Sequence, residues 1–419
     1  MPFHNLRSTI RQLSSDISEQ RRLGATIILL FRSRIQFLRI FGRFLSFLPS
    51  NHSPKLFLWF WLSRIFLNRD FVALDHSIEL SQILPLIRAT QSYKNACKSL
   101  KLDRNGFHQR GLNYRELSAE LLTCKSHRLL IFHHFDTLGY LPTSWLQALL
   151  DLQSSGWQVV ISTSYIQDDL INIIIDNGIL LAYRENIGHC LGAYRDISLL
   201  LHFSPPLLSH FTSLVCINDS NILIQPASVL LDYLNQITSS DEYNPCPILS
   251  GFTDSVQLNS YHIQSFFLYA NQALLHSSSW LRFWTQFSIT ASKEDLICSG
   301  EIGLSQYLLN NGVSLKPLFP LVQGLLEHPY MSDELLGYGI HHPYDVNQTL
   351  FAWKSLLDRG YPFIKKHVLF NLLENQGHRL TIAELADFIP DDRFNIIEKD
   401  IHQLLLSRYS VSNSTYPNL

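Results

Sequence analysis

Between residues 128 and 217 the apolar positions of the chain change period several times. Arg128-Leu-Leu-Ile-Phe-His-His134 is an unbroken apolar run ending in histidines, which reads as a buried strand, with Phe135-Asp-Thr-Leu-Gly139 as a loop after it. Pro142 to Leu152 has helical spacing, and Ser154-Ser-Gly156 turns the chain into a second strand, Trp157-Gln-Val-Val-Ile-Ser-Thr163. A helix over Ile166 to Asn177, a strand over Gly178 to Tyr183, a glycine-punctuated loop with a helix to about His202, and a strand over Ser213 to Ile217 follow. Strand, loop, helix, strand is the unit of a mainly parallel sheet, so the pattern predicts an α/β domain over residues 125–320, covered by helices on both faces.

The flanks read differently. In residues 26–48, Arg32, Gln36, Arg39 and Arg43 recur at helical spacing between broad Leu, Ile and Phe faces. Arginine interrupts this stretch too often for a simple transmembrane span, and it fits a helix lying in a membrane interface. Pro49-Ser-Asn-His-Ser-Pro54 separates it from Leu56-Phe-Leu-Trp-Phe-Trp-Leu62, which is about half as long as a span requires and suits packing equally well. Residues 1–74 are therefore expected to form a basic amphipathic helical leader and residues 75–124 a helical connector. Residues 321–419 are helical in pattern, with a capping box at Thr381-Ile-Ala-Glu384 and periodic apolar positions from Ile396 to Leu406. Periodicity leaves open whether these helices cover the α/β domain or meet a partner.

Charge sharpens the division. The 419 residues carry a net charge of -2, yet residues 1–69 hold eleven Lys or Arg against two acidic residues and the remainder holds 22 against 33. An acidic main body argues against nucleic acid as a partner, whereas a basic leader suits an anionic lipid surface. The six cysteines form no Cys-x-x-Cys pair, which disfavours a disulfide scaffold and a zinc site and favours a reducing compartment. Cys216, inside an apolar run, reads as a small buried hydrophobe. The first twenty residues lack the compact apolar region of a signal peptide.

Four clusters could carry chemistry. Asn218-Asp219-Ser220 ends a strand: Asp219 is either a ligand for Mg²⁺ or Mn²⁺ or part of an ordinary Asx turn. Arg184-Glu185-Asn186, with Gly188 and Gly192, offers a guanidinium that meets phosphate or pairs with a carboxylate, an amide that reads a base or ribose edge, and glycines that let the backbone approach a ligand. It is equally explained as a tight strand-to-helix turn, and it is not the dinucleotide fingerprint. His262-Ile-Gln264-Ser265, as an extended segment, puts His262 and Gln264 on one face, where they line a sugar or acceptor pocket, with His262 as an outer group of the site or a metal ligand, or simply hydrogen-bond. Cys298-Ser-Gly300-Glu301 places Glu301 in the first turn of a helix, either as a dipole-stabilised carboxylate or as a general base.

In this order the motifs resemble the rhamnan synthesis F family, proteins of bacterial surface-polysaccharide loci regarded as glycosyltransferases. The resemblance rests on His134-Phe-Asp136-Thr-Leu-Gly139, Arg184-Glu-Asn-Ile-Gly188 with Leu191-Gly-Ala-Tyr194, Asn218-Asp-Ser220, and His262-Ile-Gln-Ser-Phe-Phe267. Phe283-Trp284, Glu301-Ile-Gly303, Asn347-Gln-Thr349 with Trp353, and Gly360-Tyr-Pro-Phe-Ile-Lys-Lys366 continue it, so that it covers roughly residues 125–370. It implies a GT-A-like fold that binds a nucleotide sugar, such as dTDP-L-rhamnose or another activated sugar, for inverting transfer to a glycan or lipid-linked glycan.

The resemblance further implies that Arg184, Asn186 and Gly188 neighbour the donor, that Asp219 holds Mg²⁺ or Mn²⁺ on the diphosphate, and that Glu301 is the base; Asp136 and Asn218 are expected with the donor-binding residues and His262 with Glu301 as a catalytic residue. Together with the leader, it implies a cytoplasmic protein peripheral on the inner face of the membrane. The family commonly has an acidic residue where this chain has Cys190, and a proline where it has Gln348. A non-catalytic carbohydrate-binding or assembly protein on the same shell is the second reading, and a nucleotide-sugar hydrolase the third.

Overall fold

The computed structural model describes residue 112 and residues 114–413, except 185, 187, 242–243, 288, 290–292 and 375–384. The leader, the amphipathic stretch 26–48, most of the connector and the capping box at 381–384 lie outside the described residues.

The predicted alternation is realised as β1 (Arg128–His134), α1 (Thr143–Ser154), β2 (Gln158–Thr163), α2 (Asp168–Asp176), β3 (Leu180–Tyr183), α3 (His189–His202) and β4 (Ser213–Asn218). After it come β5 (Asn221–Leu223), α4 (Ala227–Asp241), β6 (Ile248–Ser255), β7 (His262–Ile263) and β8 (Phe267–Ala270). The later elements used below are α5 (Gly303–Asn310), β9 (Ser314–Phe319), β10 (Phe363–Lys365), α6 (Lys366–Glu374) and α7 (Asp391–Asn413).

The main sheet runs β3-β2-β1-β4-β8-β6-β7, with β9 also on β6. β3, β2, β1 and β4 form a parallel block; in register, Leu130 lies beside Val159 on one side and Val215 on the other. The expected mainly parallel character stops there. β8 is antiparallel to both β4 and β6, β7 is antiparallel to β6, and β9 is parallel to it, which makes the sheet mixed. The cause lies in the connections: only a 3-10 turn at Gln257–Asn259 and the two-residue β7 separate β6 from β8. That is no room for a crossover helix, so the chain returns antiparallel.

β1, β2 and β4 are buried on both faces, as continuous apolar strands between helices should be. On one face Leu130, Phe132, Val159, Ile161, Val215 and Ile217 join Trp145, Leu149 and Leu152 of α1. On the other, α3 packs across β1 and β4. Trp145 is fully buried, donates from Nε1 to the Asn221 carbonyl at 2.7 Å, and stacks on Phe363 at 5.6 Å between centroids. Phe363 belongs to β10, which pairs antiparallel with β5, so the C-terminal part is built into the α/β core.

The helix predicted over Ile396 to Leu406 is part of α7, whose Ile397, Ile401 and Leu404 are buried against the same core. Its Asp400, fully buried, accepts from the Thr143 and Ser144 amides at 2.7 and 2.9 Å and from the Tyr140 hydroxyl at 2.6 Å. A carboxylate from α7 thus caps the N-terminus of α1 from outside, where the first turn leaves its amides unsatisfied. Among the described residues no helix is long and apolar enough to cross a membrane, and the five described cysteines are free.

Candidate active site

From β1 the chain passes through α1 to β2 on one side of β1, and later through α3 to β4 on the other. The strand order reverses between β1 and β4, which opens a crevice beyond their carboxyl ends, where open α/β sheets place ligands. His133 and Asn218 are register partners at this edge, and the Asp219 amide donates to the His133 carbonyl at 3.1 Å.

Asn218 forms the Asx turn: its Oδ1 accepts from the Ser220 amide at 2.9 Å. Its side chain also bonds the Cys190 thiol, which burial pushes up to about 12 and which feels both Glu301 and Asp219. Asp219 is buried, and its Oδ2 accepts from Lys366 Nζ at 2.9 Å and from the Phe135 amide at 3.3 Å. Burial, the largest single influence, would raise this carboxyl; the adjacent Lys366 ammonium together with His134 and His133 outweighs it and holds the group below its ordinary value. Asp136 serves the loop itself, with Oδ1 accepting from the Leu138 and Tyr140 amides at 2.8 and 3.0 Å and Oδ2 from the Ser407 hydroxyl at 2.6 Å.

Arg184 is buried rather than extended towards solvent. Its Nε meets Asp196 Oδ2 at 3.2 Å and its Nη1 donates to the His189 carbonyl at 3.3 Å, so the guanidinium fixes the start of α3. Asn186 accepts through Oδ1 from His133 Nε2 at 3.1 Å. Burial, with the Arg184 guanidinium adding to it, pushes His133 down to about 3, so the ring is neutral and Nε2 carries the proton. The sign is that of a proton excluded from the native state: below the unfolded value of about 6.5 only the unfolded chain binds it, so stability falls as pH drops towards 3. His133→Gln is expected to flatten the loss of melting temperature between pH 7 and 5; an unchanged profile would contradict the assignment.

Gly188 precedes α3 at φ +73°, and a Cβ there would lie 2.7 Å from Ile289 Cγ2. Gly188→Ala is therefore expected to lower stability by about 1–2 kcal/mol from the left-handed backbone alone. Urea unfolding checks this, and a neutral result would remove the positive-φ explanation for this glycine.

Across the crevice, Glu301 does not stand in a first helical turn. A short helix, Lys293–Leu296, runs into a π-helical segment, Ile297–Ile302, and on into α5, so Glu301 sits within a continuous helical run. Gly300 explains the placement: a Cβ there would come 2.4 Å from Leu191 Cδ1 and 3.0 Å from Phe287, and its absence lets the π turn press against α3. Glu301 Oε2 accepts from the Ser265 amide at 2.6 Å and hydroxyl at 2.5 Å, while Oε1 lies 3.7 Å from His262 Nε2, too far for a hydrogen bond. His262 is buried and its Nδ1 contacts the Ser260 carbonyl at 2.8 Å. Gln264, outside any strand, bonds Thr253 and Asn347.

Sequence reasoning missed two cations. β10 ends in Lys365 and α6 begins at Lys366. Lys365 Nζ donates to Thr349 Oγ1 at 3.2 Å, and burial pushes it down to about 8 against the pull of Glu301. The Lys-Lys doublet closing an apolar strand was the available signal. Among the described residues no three His, Cys, Asp or Glu side chains gather to hold a metal ion. With Asp219 already paired to Lys366, the set does not fit the oxygen-rich cage of a hard cation.

The family model for rhamnan synthesis protein F matches residues 158–411. Two curated sequences, each described as virulence protein VirA of Vibrio anguillarum, are 28% identical over 201 residues. That match takes in 44% of this chain, which spans 60% of the length of these relatives. Among solved structures, the glycosyltransferase GlyE of Streptococcus pneumoniae TIGR4 is similar at 12% identity and a TM-score of 0.29, over 69% of this chain and 64% of its own. The TarS fragment 1–349 of S. aureus is similar at the same identity and TM-score, over 70% and 93%. Likenesses this distant bear on neither fold nor activity.

Proposed function

The chain belongs to the rhamnan synthesis protein F family, and on that premise we propose that it is a glycosyltransferase of surface-polysaccharide synthesis with a GT-A-like donor site. A nucleotide sugar occupies the crevice between β1 and β4, bordered by Asn186, Gly188 and Asn218, with Arg184 and Asp136 shaping the loops around it. The acceptor is a glycan or lipid-linked glycan. Its hydroxyl gives its proton to Glu301 as its oxygen bonds the anomeric carbon; the bond from that carbon to the diphosphate breaks, and the electron pair leaves on the diphosphate oxygen. Attack opposite the leaving group inverts the anomeric configuration. Ser265 orients the base, and His262 lines the site beside its second carboxylate oxygen.

The observation that carries this reading is the bracing of Glu301. Ser265 holds Oε2 with two donors, which leaves Oε1 directed past His262 on a side chain 17% exposed. A base must be fixed within hydrogen-bond reach of the hydroxyl it deprotonates, and this carboxylate is fixed and reachable. Purified protein presented with a panel of nucleotide sugars and glycan acceptors is the test, with the product anomer read by NMR. Inverted product supports the proposal. Donor cleavage indifferent to acceptor would make the protein a hydrolase, and binding without turnover across the panel would make it a carbohydrate-binding protein.

Membrane attachment through residues 26–48 belongs to the same proposal. Liposome binding by the full chain that is lost on deleting residues 1–69 supports it, and no binding by the intact chain rejects it.

A further inference from the structure

At the carboxyl end of β4 the expected metal carboxylate faces an ammonium: Lys366 Nζ lies 2.9 Å from Asp219 Oδ2, with both side chains largely buried, at 14% and 10% exposure. A divalent ion on Asp219 would have to displace that ammonium or stand against it, with like charges in a poorly solvated place. The adjoining Lys365 is the second cation: its Nζ donates to the neutral Thr349 hydroxyl at 3.2 Å and feels the Glu301 carboxylate without a hydrogen bond to it among the described residues. Of these two ammoniums, one is hydrogen-bonded to a carboxylate and the other to a neutral hydroxyl.

Each ammonium has three N–H donors, and the bond to Asp219 or Thr349 uses one of them. Lys366 is positioned from two directions, since its amide also donates to the Ser220 carbonyl at 2.9 Å, and β10 is registered on β5 so that Lys365 lies beside Asn221. Preorganised cations of this kind meet leaving-group charge without reorganising.

We propose that Lys365 and Lys366, in place of a divalent cation, bind and neutralise the diphosphate of the donor. The proposal rests on the sugar-transfer reading, because it gives these lysines the diphosphate released there: as the bond to the anomeric carbon breaks, the electron pair moves onto an oxygen that accepts N–H from them. Asp219 then acts as a positioning residue, holding Lys366 rather than a metal.

Titration calorimetry of the full chain with inorganic pyrophosphate, in EDTA and in Mg²⁺ or Mn²⁺, tests it. Equal binding with and without chelator is expected, with a loss of about tenfold or more in Lys365→Met and in Lys366→Met, the scale of a lost charge-assisted hydrogen bond, and retention in Lys366→Arg. Binding that requires the metal, binding unchanged in both methionine variants, or no binding by the unaltered chain would each overturn it. Because Lys366→Met leaves Asp219 unpaired, D219N/K366M, followed by thermal melting, keeps the test valid if the single variant fails to fold. The two readings fail separately. Lysine-dependent pyrophosphate binding with no sugar transfer sinks the glycosyltransferase, whereas inverting transfer abolished by EDTA sinks the lysine pair alone.

Discussion

Glu301→Gln is expected to slow sugar transfer by about 10²–10⁴-fold, the usual contribution of a positioned general base, while donor binding stays intact. Glutamine keeps the length and planarity of the side chain, and its carbonyl oxygen can still accept from the Ser265 amide and hydroxyl that now hold Oε2. What it lacks is a basic oxygen for the acceptor proton. A fall in turnover at constant donor affinity therefore isolates the proton transfer, and transfer at the unaltered rate would remove Glu301 from the mechanism. Ser265→Ala should give a smaller loss of the same kind, since it frees the carboxylate to rotate without removing it.

The largest effect on stability is expected at Asp400. Asp400→Ala strips a fully buried carboxylate from two amides at the start of α1 and from the Tyr140 hydroxyl, and leaves all three donors without their partner. Loss of a helix cap and orphaning of a buried hydroxyl together amount to about 3 kcal/mol. Asp400→Asn should cost less: one oxygen remains to accept from Tyr140 and Thr143, and only the bond to Ser144 meets a donor instead of an acceptor. Chemical denaturation with the three proteins side by side checks the order, and an alanine variant as stable as the parent would show that water replaces the carboxylate.

The parallel half of the sheet was legible because β1, β2 and β4 are continuous apolar runs bounded by glycine, serine and asparagine, and helix-period segments follow β1 and β2 and precede β4. The antiparallel half was not. His262 to Ala270 reads as one extended stretch, and nothing local says that it divides into β7 and β8 or that β8 enters beside β4. Glu301 stands out in its motif, but its setting differs from the first helical turn expected: Ser299-Gly300 has the composition of a helix start, whereas Gly300 is required by the approach of Leu191. Arg184 reads from sequence either as an arm for phosphate or as the partner of a carboxylate, and the fold pairs it with Asp196, twelve residues further on, which no local pattern names. Lys366 could not be joined to Asp219 from sequence, because 147 residues separate them and only the pairing of β10 with β5 brings them together.

The hydrogen bond from Ser407 to Asp136 joins residues 271 apart in the chain. At about 5–20 residues per second of synthesis, the loop after β1 emerges roughly 14–54 s before the helix that secures it. During that interval the nascent chain can pair β1 with β2 and β4, yet it lacks the latch on Asp136 and the carboxylate that caps α1. The crevice is thus completed late in biosynthesis, and a chain interrupted before α7 carries the strand ends of the site with their loop held only by its own Asp136 turn and by Asp219 among the bonds described above.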